Sequence, residues 1–219
     1  MSVNRFITIE GNIGAGKTSL STRLSAEWGS YLLLEQFIDN PFLSKFYREP
    51  ERYAFSVETA FLAERYRQFH AEFAALDLKK QSVVADYSFH KSLIFARQTL
   101  DKDELSLFES LFAIVNQRLS IPQLFVYLHT PIPQLLANIA KRGRAFESDI
   151  DEDYLYRIEA GYFRFMEQAS GLRCLLIHTD GIDFIHQPAA YQAIKQLMEK
   201  DYRYGLTEVS LASSLVNAL

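Results

Sequence analysis

The spacing of apolar residues along this chain switches between two periods. Phe6–Ile9 is an apolar-rich run that predicts a buried strand, and Leu20, Leu24 and Trp28 then recur at helical spacing. Tyr31–Leu34 predicts a second strand, ending at Glu35. Residues 39–50 are rich in turn formers, with a helical piece at Phe42–Tyr47. From Glu51 to about Lys79 there is no Gly or Pro, which predicts one long helix. Gln81–Asp86 predicts strand three. Helices follow over about Phe89–Leu100 and Lys102–Leu119, the latter with Asp101 as N-cap. Gln123–His129 predicts strand four. Pro131–Arg142 is helical, with Ile132, Leu135, Leu136 and Ile139 on one face and Gly143 at its end. Asp151–Ala169 predicts a helix, Leu172–His178 a fifth strand and Ala189–Lys200 a last helix. Residues 205–219 form a weakly patterned tail to which the sequence assigns no role.

Strands alternating with helices predict an α/β fold: one domain over 1–204, with a parallel five-stranded sheet flanked by helices. The helix starting at Lys102 carries two apolar stripes. Leu105, Phe108, Phe112, Val115 and Leu119 form one; Leu107, Leu111, Ile114 and Ile121 form the other. One stripe can face the sheet. The second needs a neighbouring helix or a second subunit.

Composition narrows the class without deciding it. The 219 residues are 48% hydrophobic and 23% charged, the balance of an ordinary globular domain. A net charge of −4 gives no bulk electrostatic case for nucleic acid or anionic membrane. No apolar run approaches a membrane span, and the first strand begins too early for a signal peptide. Cys174 stands alone in a strand-like run, which predicts an inert buried thiol and a cytoplasmic setting. The five histidines show no metal-ligand spacing along the chain, so no metal is assigned to them.

The chemistry centres on Gly11-Asn12-Ile13-Gly14-Ala15-Gly16-Lys17-Thr18, a phosphate-loop pattern between the first strand and the first helix. Its glycines let successive N–H groups turn inward, and with the helix N-terminus they form a nest for polyphosphate. Lys17 can reach the outer phosphates and the Thr18 hydroxyl can ligand Mg²⁺. In a parallel sheet, ligands bind beyond the carboxyl ends of the strands. Three acids fall there: Glu10, Glu35 and Asp86. Asp86 suits an acid that steadies Mg²⁺ beside Thr18. Glu35, one strand over, suits a carboxylate that takes or orients an acceptor hydroxyl's proton. Lys141-Arg142-Gly143-Arg144, with Glu147 after it, suits a lid whose arginines stabilise charge on a transferring phosphoryl group.

With these motifs in order, the chain resembles the deoxynucleoside kinases of the phosphate-loop class, and among them the bacterial deoxyguanosine kinase branch. The resemblance runs from Phe6 to about Phe184. It rests on the loop, Glu35, Asp39-Asn-Pro-Phe-Leu43, Phe46-Tyr-Arg-Glu-Pro-Glu-Arg52 and Phe61-Leu-Ala-Glu-Arg65. It continues through Asp86-Tyr-Ser, Ile94-Phe-Ala96, Arg142-Gly-Arg144 with Glu147, and Asp180-Gly181. It implies a P-loop kinase fold with an arginine-containing lid, ATP as donor, Mg²⁺ on Thr18 and Asp86, and a homodimer built on helices. ATP would be held by Gly11 to Ser19 and by Asp180-Gly181. Catalysis would fall to Glu35, as general base on the nucleoside 5′-hydroxyl, with Lys17, Arg142 and Arg144. Tyr47 and Glu147 would bind the sugar 3′-hydroxyl, Phe95 would stack on the base, and Glu58 and Arg65 would read its edge.

Two positions depart from the family pattern. Tyr87, on the expected substrate side, replaces an arginine that many members carry, with Lys91 a candidate substitute. Asn138 replaces an arginine four residues before the lid.

Base chemistry then points to guanine. Relatives that accept adenine or cytosine carry Gln where Glu58 stands; a carboxylate offers only acceptors. Guanine presents N1–H and N2–H donors side by side. Ser92 can donate to guanine O6, and Arg65 to O6 or N7. This predicts deoxyguanosine, with deoxyinosine tolerated. The alternatives are a kinase preferring deoxyadenosine or deoxycytidine, another phosphate-loop small-molecule or nucleotide kinase, and an ion pair between Glu58 and Arg65 that reads nothing. A GTPase-type switch would show an Asn-Lys-x-Asp motif, which this chain lacks.

Overall fold

The computed structural model describes residues 6–36, 40–76, 81–116 and 121–216. Asp39, Lys79 and Leu119 lie outside the described residues. In chain order the elements are β1 (Phe6–Gly11), α1 (Lys17–Trp28), β2 (Tyr31–Leu33), α2 (Leu43–Arg48), α3 (Pro50–Ala75) and β3 (Val83–Ala85). There follow α4 (Lys91–Thr99), α5 (Lys102–Asn116), β4 (Leu124–His129), α6 (Ile132–Arg142), α7 (Glu152–Gln168), β5 (Arg173–His178) and α8 (Pro188–Met198). The chain closes with β6 (Gly205–Ser210) and α9 (Leu211–Val216).

The sheet has six parallel strands in the order β2-β3-β1-β4-β5-β6. The expected five are all present; the sixth comes from the tail. β6 escapes a pattern reading because its two faces are nearly alike: Leu206 and Glu208 are exposed, and Thr207 and Val209 are only partly covered. Pairing with β5, from Arg173↔Gly205 to His178↔Ser210, defines it instead.

β1 sits between β3 and β4, where the chain moves from one half of the sheet to the other. Such a crossover opens a crevice at the carboxyl ends of the strands. Two apolar clusters cover the sheet. One contains Ile7, Ile9, Val126, Leu155 and Ile194; the other contains Phe6, Phe69, Phe89, Phe108 and Phe112. α5 therefore buries one of its stripes. Leu107, Ile114 and Ile121 of the other are 53%, 68% and 66% exposed. Among the described residues, no helix is long and apolar enough to cross a membrane.

Candidate active site

β1 runs into the phosphate loop, and α1 begins at Lys17. Gly14 and Gly16 take φ of 86° and 83°, a left-handed backbone that disfavours other residues. Space forbids a side chain there too. A Cβ on Gly14 would stand 2.9 Å from the Leu135 carbonyl, and one on Gly16 would stand 3.1 Å from Phe184 and Ile185. The loop is thus clamped between α6 and the segment after β5. The first-turn N–H groups of α1, from Lys17 through Ser19, have no partner inside the helix and carry its positive dipole end. Lys17 Nζ donates to the carbonyls of Gly11 (3.0 Å) and Asn12 (2.9 Å). Burial, with Lys91 nearby, lowers the Lys17 ammonium to about 8. The Asn12 amide is a brace: it donates to the Leu155 carbonyl and accepts from the Ile13 N–H. Ala15 is buried and Ser19 exposed.

Strand ends set the acids. Asp86 follows β3; its Oδ2 accepts from the Thr18 hydroxyl at 2.5 Å and its Oδ1 from the Glu35 N–H at 2.7 Å. Burial raises the Asp86 carboxyl above its ordinary value. The hydroxyl and carboxylate of Thr18 and Asp86 are hard oxygen donors at a loop shaped for phosphate, which is the donor set Mg²⁺ takes alongside phosphate oxygens and water.

Glu35, just beyond β2, is gripped by two cations. Its Oε1 accepts from Arg65 Nε (3.0 Å) and Nη2 (2.6 Å), and its Oε2 from Lys91 Nζ (2.5 Å). Burial alone would raise this carboxyl. Lys91 and Arg65 outweigh it and hold Glu35 down at about 2. Glu10, the third acid at a strand end, is turned away into the core. It accepts from the Ser88 N–H at 2.7 Å and the Tyr162 hydroxyl at 2.8 Å.

One open cleft gathers the loop, Glu35 and Asp86. Ile13, Gly14, Lys17 and Thr18 form one wall. Glu35, Tyr47, Glu58, Arg65, Asp86, Lys91 and Phe95 line it further, and Arg142, Arg144 and Glu147 close over it. Arg142 donates to Glu147 Oε2 from Nε (3.0 Å) and Nη2 (2.6 Å), and Arg144 Nη1 reaches Glu147 Oε1 at 3.3 Å. Glu58 is buried, and burial raises its carboxyl to about 7. It is not tied to Arg65 by hydrogen bonds: that guanidinium donates to Glu35 and, through Nη1, to Ser92 Oγ at 2.8 Å. Thr99 Oγ1 lies 3.1 Å from both Glu58 Oε1 and the Phe95 carbonyl, and its single proton serves one of them.

Not every expected residue lines the cleft. Tyr87 is a correction. Next to Asp86, which faces the cleft, it points the other way into the core against Phe69 and donates to Gln68 Oε1 at 2.7 Å. Gln68 in turn donates to the Leu34 carbonyl, one residue before Glu35. Ser92 is buried behind Arg65. Asp180 and Gly181 form the turn after β5 and do not line the cleft; Phe184 and Ile185 of that segment meet the loop at Gly16. Asn138 donates to the Gly14 carbonyl at 2.9 Å, so this departure from the family pattern buttresses the loop. Tyr154, Phe61 and Phe146 also line the cleft. Phe61 was legible only as an apolar position of the long helix and part of the Phe61-Leu-Ala-Glu-Arg65 motif, and nothing in the sequence singled out Tyr154 or Phe146.

Fold and site together define a phosphate-loop kinase. The chain belongs to the deoxynucleoside kinase family, whose model, "Deoxynucleoside kinase", matches residues 7–202. It is 35% identical to a deoxyguanosine kinase of Bacillus subtilis over 198 residues, 89% of this chain and 96% of that one. It is 28% identical to a deoxyadenosine kinase of Lactobacillus acidophilus over 211 residues, 89% and 95% of the two chains. Its fold matches the structure of deoxyadenosine kinase from M. mycoides with bound dATP, with a TM-score of 0.69 at 22% identity over 79% and 90% of the two chains. This protein is a deoxynucleoside kinase.

Proposed function

We propose that the enzyme transfers the terminal phosphoryl group of ATP to the 5′-hydroxyl of deoxyguanosine, with deoxyinosine also accepted. The observation that carries this reading is Glu58: a buried carboxylate on the cleft wall whose nearest arginine is hydrogen-bonded elsewhere. Its acceptors match the paired N1–H and N2–H donors of guanine. Ser92 Oγ, buried behind Arg65, accepts from its Nη1 and steadies that guanidinium on the cleft wall. Phe95 stacks on the base. Tyr47 and Glu147 hold the sugar 3′-hydroxyl.

The phosphate loop and Lys17 cradle the donor. Thr18 and Asp86 hold Mg²⁺, which neutralises charge on the donor phosphates. Glu35 receives the 5′-hydroxyl as a hydrogen-bond donor. At about 2 it is a weak base, so its main work is orientation. Phosphoryl transfer passes through a loose transition state that asks for positioning and charge stabilisation more than for strong deprotonation. Arg142 and Arg144 move from Glu147 toward the transferring group as substrate engages the lid. The stripe of α5 outside the core joins two copies into a homodimer.

A second reading has one observation behind it. A Glu58 carboxyl near 7 is partly protonated at neutral pH, and the acid offers one donor and one acceptor, as Gln does. Deoxyadenosine is then a poorer second substrate. Radiolabelled phosphate transfer from ATP to each common nucleoside tests both readings. The expected order is deoxyguanosine, deoxyinosine, deoxyadenosine, and Glu58→Gln should raise deoxyadenosine relative to deoxyguanosine. An unchanged ratio would remove Glu58 from base recognition.

A further inference from the structure

At the far end of the sheet from β2, two histidines 49 positions apart become neighbours. His129 closes β4 and His178 closes β5, and the two are register partners. Partners in adjacent parallel strands project to the same face. Their rings stand nearly perpendicular, at 79°, and the two Nδ1 atoms face each other at 2.9 Å. Asp180 lies two residues beyond His178. One nitrogen of each ring and one Asp180 carboxylate oxygen lie within 4.8 Å of one another. The backbone locks the two strand ends together, since the Thr179 N–H donates to the His129 carbonyl at 2.9 Å.

The outer nitrogens of both rings are occupied in the same way. His129 Nε2 lies 3.2 Å from Glu159, on α7, and His178 Nε2 lies 2.5 Å from Glu208, on β6. A carboxylate at Nε2 draws the ring proton there and leaves Nδ1 as a lone pair. This carboxylate–histidine pairing is the usual surrounding of metal-ligating imidazoles, because it fixes the tautomer and raises ligand basicity. Two lone pairs at 2.9 Å repel unless a positive charge lies between them.

We propose that His129 Nδ1, His178 Nδ1 and the Asp180 carboxylate bind a divalent transition-metal ion, separate from the Mg²⁺ of the phosphate loop. Nitrogens 2.9 Å apart subtend about 90° at an ion about 2.05 Å from each, a cis angle of a two-histidine, one-carboxylate site. Asp180 is exposed, and one of its carboxylate oxygens already lies within 4.8 Å of both rings' ligand nitrogens. Imidazole ligands favour ions such as Zn²⁺ over Mg²⁺. The ion ties β4 to the turn after β5, and through Glu208 it also braces β6 from the tail.

The test is equilibrium dialysis of the chelator-stripped full chain against Zn²⁺ and, separately, Co²⁺. The expected result is one ion per chain, with visible Co²⁺ absorption bands and a rise in Tm on loading. Affinity should fall about 100-fold in His178→Ala and about 10-fold or more in Asp180→Asn and Glu208→Gln, the range that ligand and supporting groups command. Asp180→Asn changes an exposed side chain, so misfolding does not cloud its result. His186→Ala, at an exposed histidine away from this cluster, should bind as wild type does. Absence of stoichiometric binding overturns the proposal, as does binding unchanged by His178→Ala or by Asp180→Asn. Either result leaves the two imidazoles sharing a proton.

Discussion

Glu35, part-buried, and Glu58, buried, line one cleft, and their surroundings drive their carboxyls apart. Two cations hold Glu35 ionised at about 2, whereas burial lifts Glu58 to about 7. The Glu35 value lies below its ordinary 4.5, so its contribution to stability is complete above pH 4.5 and is lost as pH falls toward 2. Lys91→Met removes one of the two cations and should raise that carboxyl. The acid limb of the kcat–pH profile should then move upward, into the range of ordinary carboxylates; an unmoved limb would show that Lys91 does not set the charge on Glu35. Glu58 behaves oppositely. Its folded value lies above 4.5, so the folded state holds the extra proton between about 4.5 and 7 and stability declines as pH rises through that window. On the proposed reading, the ionised form is the one that accepts from guanine N1–H and N2–H. The ratio of kcat/KM for deoxyguanosine over deoxyadenosine should therefore climb between pH 6 and pH 8 in the wild type and stay flat in Glu58→Gln. Glu35 and Asp86 were legible in the sequence because they follow strand ends, whereas Glu10, also at a strand end, turns into the core against Ser88 and Tyr162. Tyr87 was placed on the substrate side because it stands where many family members carry an arginine, whereas adjacent extended residues such as Asp86 and Tyr87 point to opposite sides. The His129–His178 pair was invisible because strand register is not written in linear spacing.

Among the elements, α5 and β6 carry the clearest consequences. Leu107, Leu111 and Ile114 lie along one exposed line of α5, while Phe108 and Phe112 are buried on its other side, where α5 packs on α3 and α4. An apolar stripe of this kind marks an association surface. Leu107→Asp with Ile114→Asp should convert a dimer to a monomer in sedimentation velocity and leave the fold intact by circular dichroism; an unchanged sedimentation coefficient would put the interface elsewhere. The two stripes of α5 were legible from helical periodicity alone. β6 was not, because a six-residue edge strand with two half-covered faces has no strong alternation. Its anchor is Leu211 at the start of α9, which is fully buried. Leu211→Ala should cost about 2–5 kcal/mol, as buried leucine truncations do. At roughly 2–4 °C per kcal/mol for a domain of this size, Tm should drop by about 4–20 °C. A Tm unchanged to within a degree would mean that the tail contributes little to the domain.

For the molecule as a whole, the order β2-β3-β1-β4-β5-β6 brings the phosphate loop, Glu35 and Asp86 to one end of the sheet. The alternation of strands and helices made that architecture readable. The detailed grip on Glu35 was less so, because Arg65 and Lys91 approach from α3 and α4, whose placement depends on tertiary packing. On the proposed reading, the donor cradle and the Glu35 carboxylate act on one acceptor hydroxyl held between them. Single-turnover phosphoryl transfer from ATP to deoxyguanosine by Glu35→Gln tests it most directly. The predicted result is a loss of about 10²-fold in the transfer rate, the cost of misplacing a reacting group, with ATP affinity preserved. Transfer at the wild-type rate would contradict the account.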